Sequence, residues 1–167
     1  MSRKESTDRT EIAHLIEKHR RLIYKVANSY CSNVHEQEDL IQEIIFQIIK
    51  GYENFDHKIK VTTWMYKVAF NVSISHYRKI KTRQKYMIPM PEKLIRVDET
   101  ESNETDESIR QLRIYIEELQ PLNKAILVMY LDGNSHAEIS QAIGISFSNV
   151  GTKINRIKKQ IKKKFKL

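Results

Sequence analysis

With 167 residues and 40% hydrophobic content, the chain is long enough for one medium domain or two small ones with packed cores, which excludes disorder throughout. Four Gly and three Pro against heavy use of Ile, Lys, Glu and Gln exclude a turn-rich β fold, so an all-α protein is expected. A formal charge of +8 and a pI near 9.5 point to a polyanionic partner, because each phosphate neutralised by Lys or Arg releases a condensed counterion.

That charge is segregated. No acidic residue occurs from His57 through Pro91 or from Ile139 to the end, whereas "DETESNETDE" at residues 98–107 is strongly acidic. Cys31 is the only cysteine, so no internal disulfide can form, and on an apolar-periodic segment it reads as a small core residue in a reducing compartment. No Cys or His pair has zinc-site spacing, so no structural metal is expected; no cofactor and no small-molecule substrate are expected either. The N-terminal "MSRKESTDRTEIAHL" lacks the apolar core of a signal peptide and no run approaches the ~20 apolar residues of a spanning helix, which suggests a cytoplasmic protein.

Along the chain, Ile12, Leu15, Ile16, Leu22, Ile23, Val26, Ala27 and Tyr30 recur at helical spacing and predict one long amphipathic helix over residues 10–31. After "CSNVHEQ", Leu40, Ile41, Ile44, Ile45, Ile48 and Ile49 form a second helical stripe, with Gly51 as its expected C-terminal cap. The stretch "YENFDHKIKVTT" carries no helical stripe and ends in two threonines, either of which suits a helix cap. The helix that follows places Trp64, Val68, Ala69 and Val72 on one side and Lys67, Asn71, Arg78 and Lys79 elsewhere, core on one face and cations on the other. These three helices define a first domain, residues 9–86.

The proline-containing, acidic stretch at residues 87–108 reads as a flexible linker. The second domain, residues 109–167, opens on Ile109, Leu112, Ile116 and Leu119, and continues with Pro121 in the first turn of a helix carrying Leu122, Ala125, Ile126 and Met129 inside. Then comes "SHAEISQAIGISFSNVGTKINRIKK". Ser135 and Glu138 form a capping box, Gly144 permits the positive φ of a tight exit, and Ser146 caps a helix whose stripe is Val150, Ile154, Ile157 and Ile161. This is the spacing of a helix-turn-helix, whose second helix lies in the major groove. Pointing away from the stripe are Phe147, Ser148, Asn149, Thr152, Lys153 and Arg156; Asn can bond adenine twice, Arg guanine twice, and Phe or a Thr methyl can meet the thymine methyl. Lys158, Lys159, Lys162, Lys163 and Lys164 suit phosphates. Gly151 costs this helix about 1 kcal/mol relative to Ala, and serves either close approach to DNA or no purpose.

Taken together, "QEDLIQEIIFQIIKGYENFD" with "TTWMYKVAFNVSISHYRK" resembles region two of bacterial sigma factors, and "LQPLNKAILVMYLDGNSHAEISQAIGISFSNVGTKINRIKKQI" resembles region four. Both blocks, in that order with a short linker, are the pattern of the extracytoplasmic-function (ECF) group of the sigma-70 family. The resemblance implies a non-enzymatic subunit that directs core RNA polymerase to promoters. It implies that Asp39, Gln42, Glu43 and Gln47 dock on the clamp helices of the largest polymerase subunit. It implies that Asp56, His57, Lys58, Ile59 and Lys60 shape a pocket for a base flipped out of the minus-10 element, with Asn71, and less strongly Tyr66, Lys67, Tyr77 and Arg78, near that strand. Phe147 to Arg156 would read the minus-35 element. The family also implies an anti-sigma partner, often membrane-anchored. Trp64 fits the buried stripe better than a stacking platform. Phe70, Asn149 and Gly151 depart from residues common in the family, so no promoter sequence transfers from a relative. The acidic linker would be a tether, with partial nucleic-acid mimicry.

Two other readings compete. A stand-alone helix-turn-helix regulator, with an N-terminal dimerisation or sensing domain, would bind duplex DNA tightly by itself. A nuclease lacks the carboxylate cluster that two metals need.

Overall fold

A computed structural model describes residues 3–86 and 104–165 of the chain, and every regular element among them is helical. Eight helices follow in order: α1 (Arg3–Lys18), α2 (Arg20–Tyr30), α3 (Val34–Tyr52), α4 (Val61–Tyr86), α5 (Glu104–Glu118), α6 (Pro121–Leu131), α7 (His136–Ile143) and α8 (Phe147–Phe165). The acidic block lies largely outside the described residues, and α5 already begins at Glu104.

The single N-terminal helix expected over residues 10–31 is two helices. His19 (φ −110°, ψ 17°) leaves the helical region between them, accepting a hydrogen bond from the Leu22 N–H while its own N–H donates to the Leu15 carbonyl. The cause is legible in hindsight: His19 is the polar position between Ile16 and Leu22 on the apolar stripe. The break frees α1 to lie over α3, where Tyr52 Oη donates to Glu11 at 2.9 Å and Ile12 is buried.

The start of α3 follows the chemistry of its cap, since Asn33 Oδ1 accepts from the N–H groups of His35 and Glu36. Its end does not follow the expectation. Gly51 is helical rather than a left-handed cap, and α3 runs on to Tyr52. A Cβ at Gly51 would sit 3.2 Å from Trp64 Cζ2, so the glycine lets α3 pack closely on the indole. The two threonines are likewise not caps. Both lie inside the first turn of α4, Thr63 is buried with no hydrogen-bond partner for its hydroxyl, and the Lys60 carbonyl accepts from the Trp64 N–H.

Helix α4 is buried on more sides than the single stripe predicted. Met65, Tyr66, Ala69 and Phe70 are buried, whereas Trp64, Val68 and Val72 are half-buried. The reason is tertiary: α2 and α3 pack on one side of α4, and α6 and α7 of the second domain pack on another. In consequence the buried apolar residues of α2–α4 and of α6–α8 join in one continuous cluster, while a smaller cluster of Tyr115, Leu127 and Ile157 ties α5 to α6 and α8.

The helix-turn-helix forms as its residues dictate. The Glu138 N–H donates to Ser135 Oγ at 3.2 Å and the Ser135 N–H to Glu138 Oε2 at 2.8 Å; Gly144 takes φ +79°, and the Asn149 N–H donates to Ser146 Oγ at 3.3 Å. Ile139, Ala142, Val150, Ile154 and Ile157 are buried, which holds α8 across α7 and turns its opposite face to solvent. Cys31 is buried too, and burial pushes its thiol up to about 11, leaving it inert.

Candidate nucleic-acid and protein interfaces

Three surfaces carry the residues singled out by the sequence. The first is on α3. Positions 39, 42, 43, 46 and 47 recur three and four apart and share one face, on which Asp39, Gln42 and Glu43 are exposed and Gln47 half-buried. Gln47 Nε2 donates to Glu43 Oε1 at 2.8 Å, which fixes that carboxylate on the helix surface. The same face carries two residues the sequence reading missed or misplaced. Phe46 is 56% exposed, and Ile49, assigned to the buried stripe by its spacing, is 49% exposed. Two large apolar side chains in solvent among acids and amides form the pattern of an interface centre with a polar rim. A face angle computed from the helical repeat would have found Phe46; the run of apolar neighbours hid it.

An open groove between α3 and α4 brings Asp39, Glu43 and Gln47 together with Asn71, Val72 and Lys79. Asn71 therefore stands beside the α3 face.

The second surface is the loop before α4. Asp56 builds it: its Oδ1 accepts from the Lys58 N–H at 3.1 Å and its Oδ2 pairs with Lys58 Nζ at 3.0 Å, bonds that hold its carboxyl below the usual carboxylate range. His57 consequently adopts φ +57°, a left-handed conformation that turns its ring onto Phe55, with centroids 4.5 Å apart. Phe55 stacks on Trp64 at 5.0 Å, and Tyr52 stands 6.2 Å from Trp64. Tyr52, Phe55 and Trp64 thus make a packed aromatic floor beneath an exposed histidine flanked by Lys58 and Lys60. Trp64 sits in that floor, half-buried, in agreement with its reading as core.

In the loop, Asp56, His57, Lys58 and Lys60 are exposed and Ile59 is half-buried; further along α4, Lys67, Asn71 and Arg78 are exposed and Tyr77 is half-buried. Tyr66 departs from the expectation of a strand-contacting residue. It is 2% exposed, turned into the second domain, with its hydroxyl donating to Asp132. Burial, then the Asp132 carboxylate, push the phenol well above its ordinary value, so it stays a donor. Lys60 is also engaged, 2.6 Å from Glu138.

The third surface is α8. Phe147 (61% exposed), Ser148, Asn149, Thr152 and Arg156 face solvent. Thr152 Oγ1 donates to the Ser148 carbonyl at 3.0 Å, which leaves its methyl as the group available to a base. Lys153 differs from the expectation of a free cation: it is half-buried and donates to Asn123 Oδ1 at 3.2 Å. Gly151 is half-buried with room for a Cβ 3.8 Å from the His136 ring, so it faces α7 and is not demanded by space. In the last turns Lys158 lies over the Tyr130 ring at 4.6 Å, while Lys159, Lys162 and Lys163 are exposed. With no acidic residue on α8, its exposed side carries no negative charge, and it is positive from Arg156 onward. Among the described residues, no group of three or more His, Cys, Asp or Glu gathers as a metal site, and no helix is long and apolar enough to cross a membrane.

Known proteins share this organisation. The model for Sigma-70 region 2 matches residues 15–83, and the model for Sigma-70, region 4 matches residues 109–161. The ECF RNA polymerase sigma factor SigW of Bacillus subtilis is 24% identical over 172 residues, spanning 95% of this chain and 91% of that protein. SigX of the same organism, also an ECF RNA polymerase sigma factor, is 24% identical over 140 residues, spanning 80% and 72%. Among solved structures, the sigma factor RpoE from Bartonella quintana, crystallised with the anti-sigma factor NepR, matches with a TM-score of 0.71 at 14% identity over 94% of this chain and 98% of that one. CnrH in complex with the cytosolic domain of CnrY matches with a TM-score of 0.68 at 14% identity over 95% and 89%. With two consecutive regions of one family matched in order over well over half of its length, and relatives matched nearly end to end, the chain belongs to the sigma-70 family.

Proposed function

We propose that this chain is a sigma factor of the ECF group, a cytoplasmic subunit that binds core RNA polymerase and directs promoter recognition, promoter melting and transcription initiation, with no catalysis of its own. The observation that carries this reading is the presence, on one chain, of a polar-rimmed apolar face on α3, a cationic loop over an aromatic floor, and a capped helix-turn-helix with a positive outer face.

Residues 9–86 form the domain that docks on polymerase and takes the minus-10 element, the acidic stretch expected over residues 87–108 is the linker up to the start of α5 at Glu104, and the helices that follow, through residue 167, form the domain that takes the minus-35 element. On α3, Asp39, Gln42, Glu43 and Gln47 surround Phe46 and meet the clamp helices of the largest subunit. At the loop, Asp56 sets the turn, His57 and Ile59 face an unstacked base, and Lys58 and Lys60 neutralise the strand; along α4, Lys67 and Arg78 add positive charge, Asn71 supplies an amide for base edges, and Tyr77 supplies a ring. Stacking of a base on such a surface is worth ~1–3 kcal/mol, available only when the duplex has opened. The chain therefore favours the melted promoter by binding it better than the closed one, a shift in population and not a reaction. In α8, Asn149 and Arg156 read base edges, Phe147 and Thr152 offer apolar contact to thymine methyls, Ser148 and Lys153 complete the face, and the terminal lysines hold phosphates. The structural relative RpoE was solved with an anti-sigma factor, and a protein of that kind, often membrane-anchored, is proposed as the regulator of this chain.

Permanganate footprinting tests the reading. Core polymerase with the natural chain should make promoter thymines around the minus-10 position reactive; the His57→Ala, Asn71→Ala double variant should keep promoter binding and lose that reactivity. Equal reactivity from both proteins would contradict the assignment.

A further inference from the structure

Gly151 stands inside α8, and what lies against it is the His136 ring, 3.8 Å from where a Cβ would be. Phe147, Gly151 and Lys158 fall four and seven positions apart, so they share one edge of α8, beside the buried stripe of Val150, Ile154 and Ile157. A row of rings packs along that edge. His136, the first residue of α7, is half-buried, with its ring centroid 5.7 Å from that of Phe147 and 6.4 Å from that of Tyr130. Both separations are those of favourable ring pairs. Lys158 lies 4.6 Å over Tyr130 and steadies the far end of the row. The capping box of α7 is made by Ser135 and Glu138 without the His136 side chain, and among the described residues the imidazole makes no hydrogen bond. Ring packing is what this side chain does.

Phe147 is the residue that gains. Its side chain is 61% exposed at the first position of α8, and His136 is the one ring it meets among the described residues. An aromatic side chain with so little contact samples several rotamers, and ordering it on DNA costs binding free energy unless the protein has already fixed it. We propose that His136 is a positioning residue for base recognition: seated over Gly151 and braced by Tyr130, it holds the Phe147 ring in the orientation that meets a thymine methyl of the minus-35 element, without touching a base itself. The inference rests on the reading of Phe147 as a base contact. It also gives Gly151 a use. Bare backbone at that position leaves the imidazole room to reach along α8 to Phe147, where a side chain longer than a methyl would compete for the same space.

The test uses the full-length natural chain, His136→Ala, His136→Phe, Phe147→Ala and the His136→Ala, Phe147→Ala double variant, with thermal melting as the folding control. Ring placement is read in the free chain by fluorine NMR, from a fluorine atom placed on the Phe147 ring. His136→Ala should move that line toward the position of fluorophenylalanine in an unstructured peptide; a line that stays in place overturns the proposal whatever happens on DNA. Base preference is read with core RNA polymerase bound to each protein, by sequencing the duplexes retained from a promoter fragment randomised across its minus-35 region. Phe147→Ala and His136→Ala should each lose about fourfold of preference for thymine at the same base pair, the factor to which burial of one methyl group corresponds, and the double variant should lose no more than either. His136→Phe should keep the preference. If His136 instead held a phosphate, His136→Ala and His136→Phe would both weaken every sequence alike and lower the salt slope, which would overturn the positioning role. Loss of preference in Phe147→Ala alone overturns the proposal and leaves the base contact standing; loss in neither variant removes the base contact, and the proposal with it.

Discussion

Replacing Phe46 by Ala removes the largest exposed apolar group on the α3 face. Full burial of a phenylalanine side chain is worth ~1.5–3 kcal/mol relative to leaving it in water, and 56% of Phe46 is still exposed in the free chain. Docking that covers the remainder therefore gains about 1–1.5 kcal/mol from this residue, equivalent to roughly five- to tenfold in Kd. Folding should be unaffected, because the side chain contributes little to the core in the free chain. The assay is competition for core polymerase against a fluorescently labelled natural chain, with thermal melting as the folding control. Asp39→Ala with Glu43→Ala, also exposed, should weaken docking without changing helicity. If Phe46→Ala binds within twofold of the natural chain, or melts many degrees lower, the assignment of α3 as the docking face fails.

Three further outcomes are expected. Gly144→Ala should cost the helix-turn-helix about 1 kcal/mol in urea unfolding, since φ +79° is strained for a residue with a Cβ although the space around it is open; no loss would contradict the turn geometry. Arg156→Ala should lose about 1–3 kcal/mol of discrimination at one base pair of the minus-35 element, whereas Lys162→Ala should weaken all sequences alike and lower the salt slope by about 1; the reverse pattern would contradict the orientation of α8. Glu138, with its pKa lowered to about 2 by Lys60 and then by the Ser135 cap, contributes stability that is complete above its ordinary 4.5 and lost as pH falls toward 2. Melting of the natural chain should thus exceed that of Glu138→Gln at pH 6–8, with the difference shrinking from about pH 4 down; a constant difference would refute the ion pair.

The parts of the molecule legible in the sequence are those fixed by neighbouring residues. Ser135, Glu138, Gly144 and Ser146 specify the helix-turn-helix by local hydrogen bonds and one backbone angle, and the apolar repeats of α3, α6 and α8 locate those helices. What escaped depends on residues far apart. The break at His19 is marked only by one polar residue on an otherwise continuous stripe, and Gly51 lies against Trp64, thirteen positions later. Phe70 and Tyr66 look like surface positions of a one-sided helix and are buried because a second domain covers them. For the same reason the family resemblance, which placed Tyr66 near the strand, missed its burial, and the sequence offered no hint of Asp132, whose partners are 107 and 66 positions away.

The central claim is that this chain acts through RNA polymerase. The most direct test mixes the purified protein with bacterial core polymerase, follows co-elution by gel filtration, and maps transcripts from a genomic promoter library. A sigma factor should co-elute and produce discrete start sites that neither component gives alone. No association with polymerase, together with a sharp duplex footprint by the protein alone, would contradict the account and identify a self-sufficient DNA-binding regulator.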